Sequence, residues 1–315
     1  MSGEGRAGRR PEALPPADPL ADSRSGAPHP ADPPSEPRAP ATRPRRRWTL
    51  LADAPPLAGR TGLGVRIAVI DSGVNVPHPH LPRVAGAVGF DLEGEGSHDA
   101  LDVLGHGTAV ASAIHEKAPG AELFAVKVFD RVLATSVPTL VRALDWASEQ
   151  GVHLVNLSLG TPNPFRAEAL AGAVARARAR GTLVVSARGS GEAAWYPGVL
   201  PDVLGVGLDE ACPREGVVIE EDEDGALALG GSPYPRPIPG VPRERNLSGI
   251  SFAVANVTGV LARVLEGRSA GPGAAEALQA LVALATPTPD GAAAAASPDP
   301  GTGSPGSAAT SPGFA

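Results

Sequence analysis

Residues 246–259 read Asn-Leu-Ser-Gly-Ile-Ser-Phe-Ala-Val-Ala-Asn-Val-Thr-Gly. Small residues precede Ser251 and apolar positions follow it as far as Val264 and Leu265, so Gly249-Ile250-Ser251 reads as a tight turn feeding a helix. That puts a serine hydroxyl at a helix N-terminus, where backbone N–H groups lack intrahelical partners and face developing negative charge. The placement suits a nucleophile whose substrate becomes an oxyanion. It equally suits an ordinary N-capping serine.

Outward from this segment, apolar runs alternate with helical patterns. Residues 65–70, 122–128, 152–157, 182–185 and 203–206 read as buried strands, because most carry hydrophobic side chains on both faces. Helices are expected after His106, over about 136–150 and 166–180, and after Ser251. The alternation predicts an α/β fold, a three-layer α/β/α arrangement with a mainly parallel central sheet. Active residues of such sheets gather at the carboxyl ends of the strands, and Asp71 sits at one of these ends.

Asp71 follows Ile70 and opens Asp-Ser-Gly-Val-Asn-Val-Pro-His-Pro-His-Leu. His106 stands in Gly105-His106-Gly107-Thr108-Ala109-Val110-Ala111, where flanking glycines let the backbone turn before a helix of small residues. Taken singly, Asp71 reads as a loop cap and His106 as a structural helix-start residue. Together with Ser251 they supply the parts of acyl transfer: a nucleophile, a base for its proton, and a carboxylate that fixes the tautomer of the base.

Composition bounds the alternatives. The chain has 315 residues, a net charge of -7, 42% hydrophobic and 3% aromatic residues, which suits one globular domain with tails. A single cysteine, Cys212, excludes an intramolecular disulfide and any Cys-x-x-Cys metal or redox pair. Lys117 and Lys127 are the only lysines, so arginine clusters carry less weight as binding signals. His78, His80, His98, His115 and His153 lack metal-ligand spacing. Residues 1–47 are Pro-rich and charged without hydrophobic periodicity and read as a disordered arm, including the basic run at 43–47, which reads as solvated and not as a nucleic-acid contact. Residues 287–315 read as an Ala/Gly/Ser/Pro-rich disordered tail, leaving a folded domain over 57–286. The acidic stretch 220–225 lies between two apolar runs and predicts a hairpin with a solvated Asp-Gly tip. No apolar stretch approaches membrane-spanning length and no signal-peptide core is visible, so a cytoplasmic, monomeric protein without membrane or nucleic-acid partners is expected.

The order Asp71, His106, Ser251 and its surroundings resemble the subtilisin-like serine proteases. Ala125-Val126-Lys127-Val128, Asn156-Leu157-Ser158-Leu159-Gly160, Tyr196-Pro197-Gly198 and Pro239-Gly240-Val241 resemble landmarks of that family in the same order. The resemblance implies a serine endopeptidase with Asp71, His106 and Ser251 as its triad and a peptide or protein as its partner. It further implies that Ser158, Leu159 and Gly160 pair with the substrate backbone, with Ala187 and Gly189 alongside, and that Trp195 floors the pocket for the side chain before the cleaved bond. The departures are specific. Ser190 stands where the family places its oxyanion-hole asparagine, so the hole is expected from Ser190 and the Ser251 backbone. Ile250, Ala255 and Asn256 replace the usual threonine, proline and histidine around the nucleophile, and Ser248 stands where asparagine is usual. The calcium-binding insertion expected after the His106 helix is missing, so neither metal nor other cofactor is implied. Two other readings stay open: a catalytically weak or inactive peptide-binding module on the same fold, and a maturation protease dedicated to one precursor.

Overall fold

Arg66-Ile-Ala-Val-Ile-Asp71 carries apolar side chains on both faces, as a strand covered from two sides requires. In the computed structural model, which describes residues 46–190 and 193–288, this segment is the second strand of an 11-stranded sheet. The first half of the domain runs β1 (Arg46–Leu51), β2 (Arg66–Asp71), β3 (Gly86–Phe90), β4 (Gly96–Ser97), α1 (His106–Lys117), β5 (Glu122–Lys127), α2 (Val137–Glu149) and β6 (Leu154–Leu157). It continues through α3 (Ala167–Ala179), β7 (Leu183–Ala187), the short pair β8 (Gly189–Ser190) and β9 (Ala193–Ala194), and β10 (Val203–Leu208). The last part comprises β11 (Gly216–Glu221), β12 (Leu227–Gly231), α4 (Ile250–Leu265), α5 (Ala274–Leu284) and β13 (Thr286–Pro287).

Strand order is β13-β1-β11-β12-β10-β7-β6-β2-β5-β3-β4. Every neighbouring pair from β12 to β3 is parallel, while β4, β11, β1 and β13 form antiparallel margins. Side chains of β2 alternate between two cores. Ile67 and Val69 pack with Val110 and Ile114 of α1, Val254 and Leu261 of α4 and Leu281 of α5. Ala68 and Ile70 face the other way, toward Leu140 and Leu144 of α2 and Leu170 and Val174 of α3. The three-layer α/β/α architecture follows from this alternation. From β2 the chain reaches β5 through α1, then crosses by α2 to β6 on the other side of β2. Asp71 therefore ends the strand at which the crossover direction reverses, opening a crevice at the carboxyl edge.

Two expected boundaries need correction. Residues 46 and 47 are not part of a disordered arm, and the domain starts before residue 57, because β1 pairs with β11 from Arg46↔Glu221 to Leu51↔Gly216 and buries Leu50 completely. The paired margin also extends to β13 and to Thr288, whose N–H donates to the Arg47 carbonyl at 2.8 Å, just past the expected tail boundary. The rest of both expected tails, residues 1–45 and 289–315, lies outside the described residues. The acidic hairpin forms between β11 and β12, with Gly225 at φ 81° in the turn. Its first two acids are paired rather than freely solvated: Glu220 meets Arg47, and Glu221 meets Arg46 at 3.6 Å.

Candidate active site

Asp71 and His106 are brought together by glycines. A Cβ on Gly107 would stand 2.2 Å from the Gly73 carbonyl oxygen, so only glycine lets the first turn of α1 press against the loop that follows Asp71. Gly73 itself has φ 95° and would clash with the Ala100 carbonyl if it carried a side chain. In this packed corner His106 Nδ1 lies 2.7 Å from Asp71 Oδ1, which also accepts the Ser72 N–H at 2.7 Å. Asp71 is 1% exposed, and its Oδ2 is buried without a hydrogen-bond partner. Burial pulls the His106 pKa down, but the hydrogen bond and charge of Asp71 and the charge of Asp102 outweigh it, leaving the imidazole above its ordinary value. The ring also packs beside Phe252, tilted by 47° at a centroid separation of 5.7 Å.

Phe252 follows Ser251 directly, so α4 delivers the serine to the same corner. Ser251 is the second residue of α4, after the N-cap Gly249 at φ 151° and ψ 175°. Its hydroxyl donates to the Ser158 carbonyl at 3.3 Å and makes no hydrogen bond with His106 in this structure. The Ser158 hydroxyl donates in return to the Ser251 carbonyl, also at 3.3 Å. Behind this pair, Asn156 Nδ2 donates to Ser158 Oγ at 2.8 Å and Thr258 Oγ1 donates to Asn156 Oδ1 at 3.1 Å, a buried polar chain that fastens α4 to β6.

Ser158, Leu159 and Gly160 leave β6 beside Trp195. A Cβ on Gly160 would lie 3.0 Å from Trp195 Cβ, and Thr161 and Tyr196 form an antiparallel bridge one residue further on. Trp195 is half-buried, and its backbone N–H donates to the Arg188 carbonyl at 3.1 Å. Ala187 ends β7 fully buried, and the extended Gly189 pairs with Ala194. The side chain of Ser190 lies outside the described part of the structure, as do Gly191 and Glu192. Its backbone pairs with Ala193. Thus Ser158, Leu159, Gly160, Ala187, Gly189 and Trp195 lie on neighbouring segments at the carboxyl edge of the sheet, next to the corner that holds Asp71, His106 and Ser251.

Sequence reading missed the polar residues that brace this corner. Ser72, Asn75, Thr108, Asn156 and Thr258 lie inside the stretches singled out above but have no role assigned there, and Asp102 lies outside them; their contacts link separate segments, as Ser72 does with Asp102, Asn75 with Thr108 and Asn156 with Thr258. A second group adjoins Asp71 on the neighbouring strand: Lys127, its register partner in β5, is buried, donates to the Leu101 carbonyl at 2.9 Å and lies 3.4 and 3.5 Å from Asp99 and Asp130. It ties the loops after β4 and β5 together, and these loops expose Leu101, Leu104, Val132 and Leu133. Among the described residues no group of three His, Cys, Asp or Glu side chains is arranged to hold a metal ion, and no helix is long and apolar enough to cross a membrane.

Residues 62–216 match the family model described as "Subtilase family". The chain is 35% identical over 217 residues to M-protease of Shouchella clausii (strain KSM-K16), covering 65% of this chain and 55% of that protein. It is 39% identical over 163 residues to Subtilisin Savinase of Lederbergia lenta, covering 48% of this chain and 58% of that protein. With Subtilisin E of Bacillus subtilis (strain 168) the identity is 29% over 227 residues, covering 67% of this chain and 56% of the relative. The chain therefore spans little more than half the length of these curated relatives.

Proposed function

Since the chain belongs to the subtilase family, we propose that it is a serine endopeptidase that cleaves peptide bonds through an acyl-enzyme on Ser251. The observation that carries this reading is the 2.7 Å contact between His106 Nδ1 and the buried Asp71 carboxylate, with the ring held against the residue after Ser251. Asp71 keeps the proton on Nδ1, which leaves Nε2 free to accept the Ser251 proton as Oγ attacks the scissile carbonyl. The imidazolium formed is stabilised by the same carboxylate, then gives its proton to the leaving amine. Water, activated by His106 in the same way, releases the acyl group. Charge on the tetrahedral intermediate is met by the free N–H of Ser251 at the start of α4 and, in this reading, by Ser190. An extended substrate backbone lies along Ser158, Leu159 and Gly160. Trp195, beside Gly160, narrows the adjoining pocket and favours small side chains there.

A second reading, a peptide-binding module without turnover, is supported by the Ser251 hydroxyl being engaged by Ser158 and by serine at position 190. Purified protein incubated with unfolded casein separates the two. The endopeptidase reading expects internal cleavage that Ser251→Ala abolishes, whereas binding without cleavage by both proteins would favour the module.

A further inference from the structure

Asp102 lies four residues before His106 and is 4% exposed. Its carboxylate accepts five hydrogen bonds: Oδ1 from Ser72 Oγ at 2.8 Å, Leu104 N at 3.0 Å and Gly105 N at 2.8 Å, and Oδ2 from Thr108 N at 2.8 Å and Thr108 Oγ1 at 2.6 Å. Both oxygens are fully occupied, which is how a buried carboxylate is kept without heavy desolvation cost.

The donors have one thing in common. They come from residues within two positions of His106 on either side, and from Ser72, the neighbour of Asp71. The N-cap of α1 is Gly105, which has no side chain to satisfy the first-turn N–H groups. Asp102 takes the Thr108 N–H in its place, and Ser72 Oγ accepts the Gly107 N–H at 2.8 Å while donating to Asp102. Asn75 completes the brace, donating from Nδ2 to the Asp102 carbonyl at 2.9 Å and accepting its N–H on Oδ1 at 3.1 Å. A closed loop of bonds therefore runs from Asp71 through Ser72 and Asp102 to the first turn of α1, and returns through His106 to Asp71. Asp71 Oδ2 has no hydrogen-bond partner, so the carboxylate is held through Oδ1 alone, by the Ser72 N–H and His106 Nδ1, both of which belong to this loop.

We propose that Asp102 is a positioning residue for the reaction assigned above, fixing the His106 backbone so that Nδ1 meets Asp71. The proposal rests on that functional reading for its consequence in turnover, though not for its geometry. Asp102 also acts on His106 through charge. The ionised groups that act on the ring are Asp71 from β2 and Asp102 from the loop before α1, and Ser251 and Phe252 of α4 bring none.

The test uses the full chain with Asp102→Asn and Ser72→Ala. Proton NMR of His106 is read first, because it requires no turnover. Asp102→Asn is expected to move the His106 titration midpoint to lower pH by about half a unit or more, and to broaden or remove the downfield Nδ1–H resonance. Ser72→Ala keeps the Asp102 charge, so it should weaken that resonance with little movement of the midpoint. In turnover, Asp102→Asn is expected to lower kcat by up to about 10²-fold with KM within about threefold of wild type. A His106 midpoint and Nδ1–H resonance identical to wild type in folded Asp102→Asn would overturn the proposal. Should Asp102→Asn not fold, Ser72→Ala decides: a weakened resonance supports the proposal, and an unchanged resonance and kcat overturn it. If wild type cleaves nothing yet both NMR effects appear, the positioning role stands and the endopeptidase reading falls.

Discussion

The Ser251 hydroxyl donates to the Ser158 carbonyl at 3.3 Å, and the Ser158 hydroxyl donates back to the Ser251 carbonyl at the same distance. The start of α4 and the segment after β6 are thus fastened to each other, and in the proposed reaction proton transfer to His106 requires the Ser251 hydroxyl to leave Ser158. What holds Ser158 is Asn156, itself buried and bonded to Thr258. Asn156→Ala removes one hydrogen bond from each of Ser158 and Thr258, whose hydroxyls keep the Ser251 and Val254 carbonyls as acceptors, so it is expected to cost about 1–3 kcal/mol by denaturant unfolding and to lower kcat. Wild-type stability and turnover in this variant would contradict the account of the buried chain.

His106 must be neutral to accept a proton, and Asp71 with Asp102 holds its pKa above the ordinary value despite burial. The rate kcat/KM should therefore fall on the acidic side with a midpoint above about 6.5. For stability the sign is opposite: a raised folded-state pKa stabilises the fold below the unfolded value, and the contribution disappears as pH rises through the folded value. A pH–rate profile with its acidic midpoint clearly below 6.5 would contradict this.

Lys117 closes α1 with a side chain 3% exposed, and Nζ reaches Glu116 at 3.4 Å. Burial pushes its pKa down to about 8, the Arg214 charge adding to the effect and Glu116 opposing it. Between about 8 and the unfolded value near 10.4 the unfolded chain holds the extra proton, so stability contributed at this site rises with pH across that window. At pH 7 both states are protonated and the native state carries the penalty. Lys117→Met is expected to raise the melting temperature at pH 7 by several degrees, equivalent to at most about 3 kcal/mol, with the gain shrinking toward pH 10. A less stable variant at pH 7 would show that the ammonium is better compensated than its surroundings imply.

Leu50 is fully buried in β1, and Arg47 of the same strand pairs with Glu220 and, at 2.6 Å, with Asp209. Leu50→Ala should cost about 2–5 kcal/mol, and deletion of residues 1–51 should lower the melting temperature at least as much. Arg47→Ala is expected to cost only about 1 kcal/mol, because its ion pairs remain partly solvated. A protein starting at residue 52 that melts as the full chain does would mean that β1 contributes nothing to the fold.

How much of this was legible depended on whether the determinants were local. The strands β2, β5, β6, β7 and β10 announce themselves by apolar residues on both faces, and α1 to α4 by their periodicity. Asp71, His106 and Ser251 stand out because glycines and small residues surround each at an element boundary. β1 did not: Arg46 and Arg47 look like the end of a basic tail until Glu220 and Glu221 are placed opposite them by pairing across the sheet. α5 escaped because its Ala-rich sequence merges with the composition of the following segment. Asp102 was passed over because, although four of its five donors lie within six residues of it, its link to the Asp71 loop through Ser72 forms only when that loop and the start of α1 fold against each other.

The central claim is that Ser251 acts as a nucleophile activated by His106 and Asp71, and covalent labelling reads this without knowledge of the natural substrate. The folded chain is treated with a fluorophosphonate probe beside Ser251→Ala and His106→Ala, and the modified peptide is identified by mass spectrometry. The account predicts a single adduct on Ser251 in the wild-type protein, none in Ser251→Ala, and labelling slowed by orders of magnitude in His106→Ala. Absence of an adduct on Ser251 in correctly folded wild-type protein would contradict it.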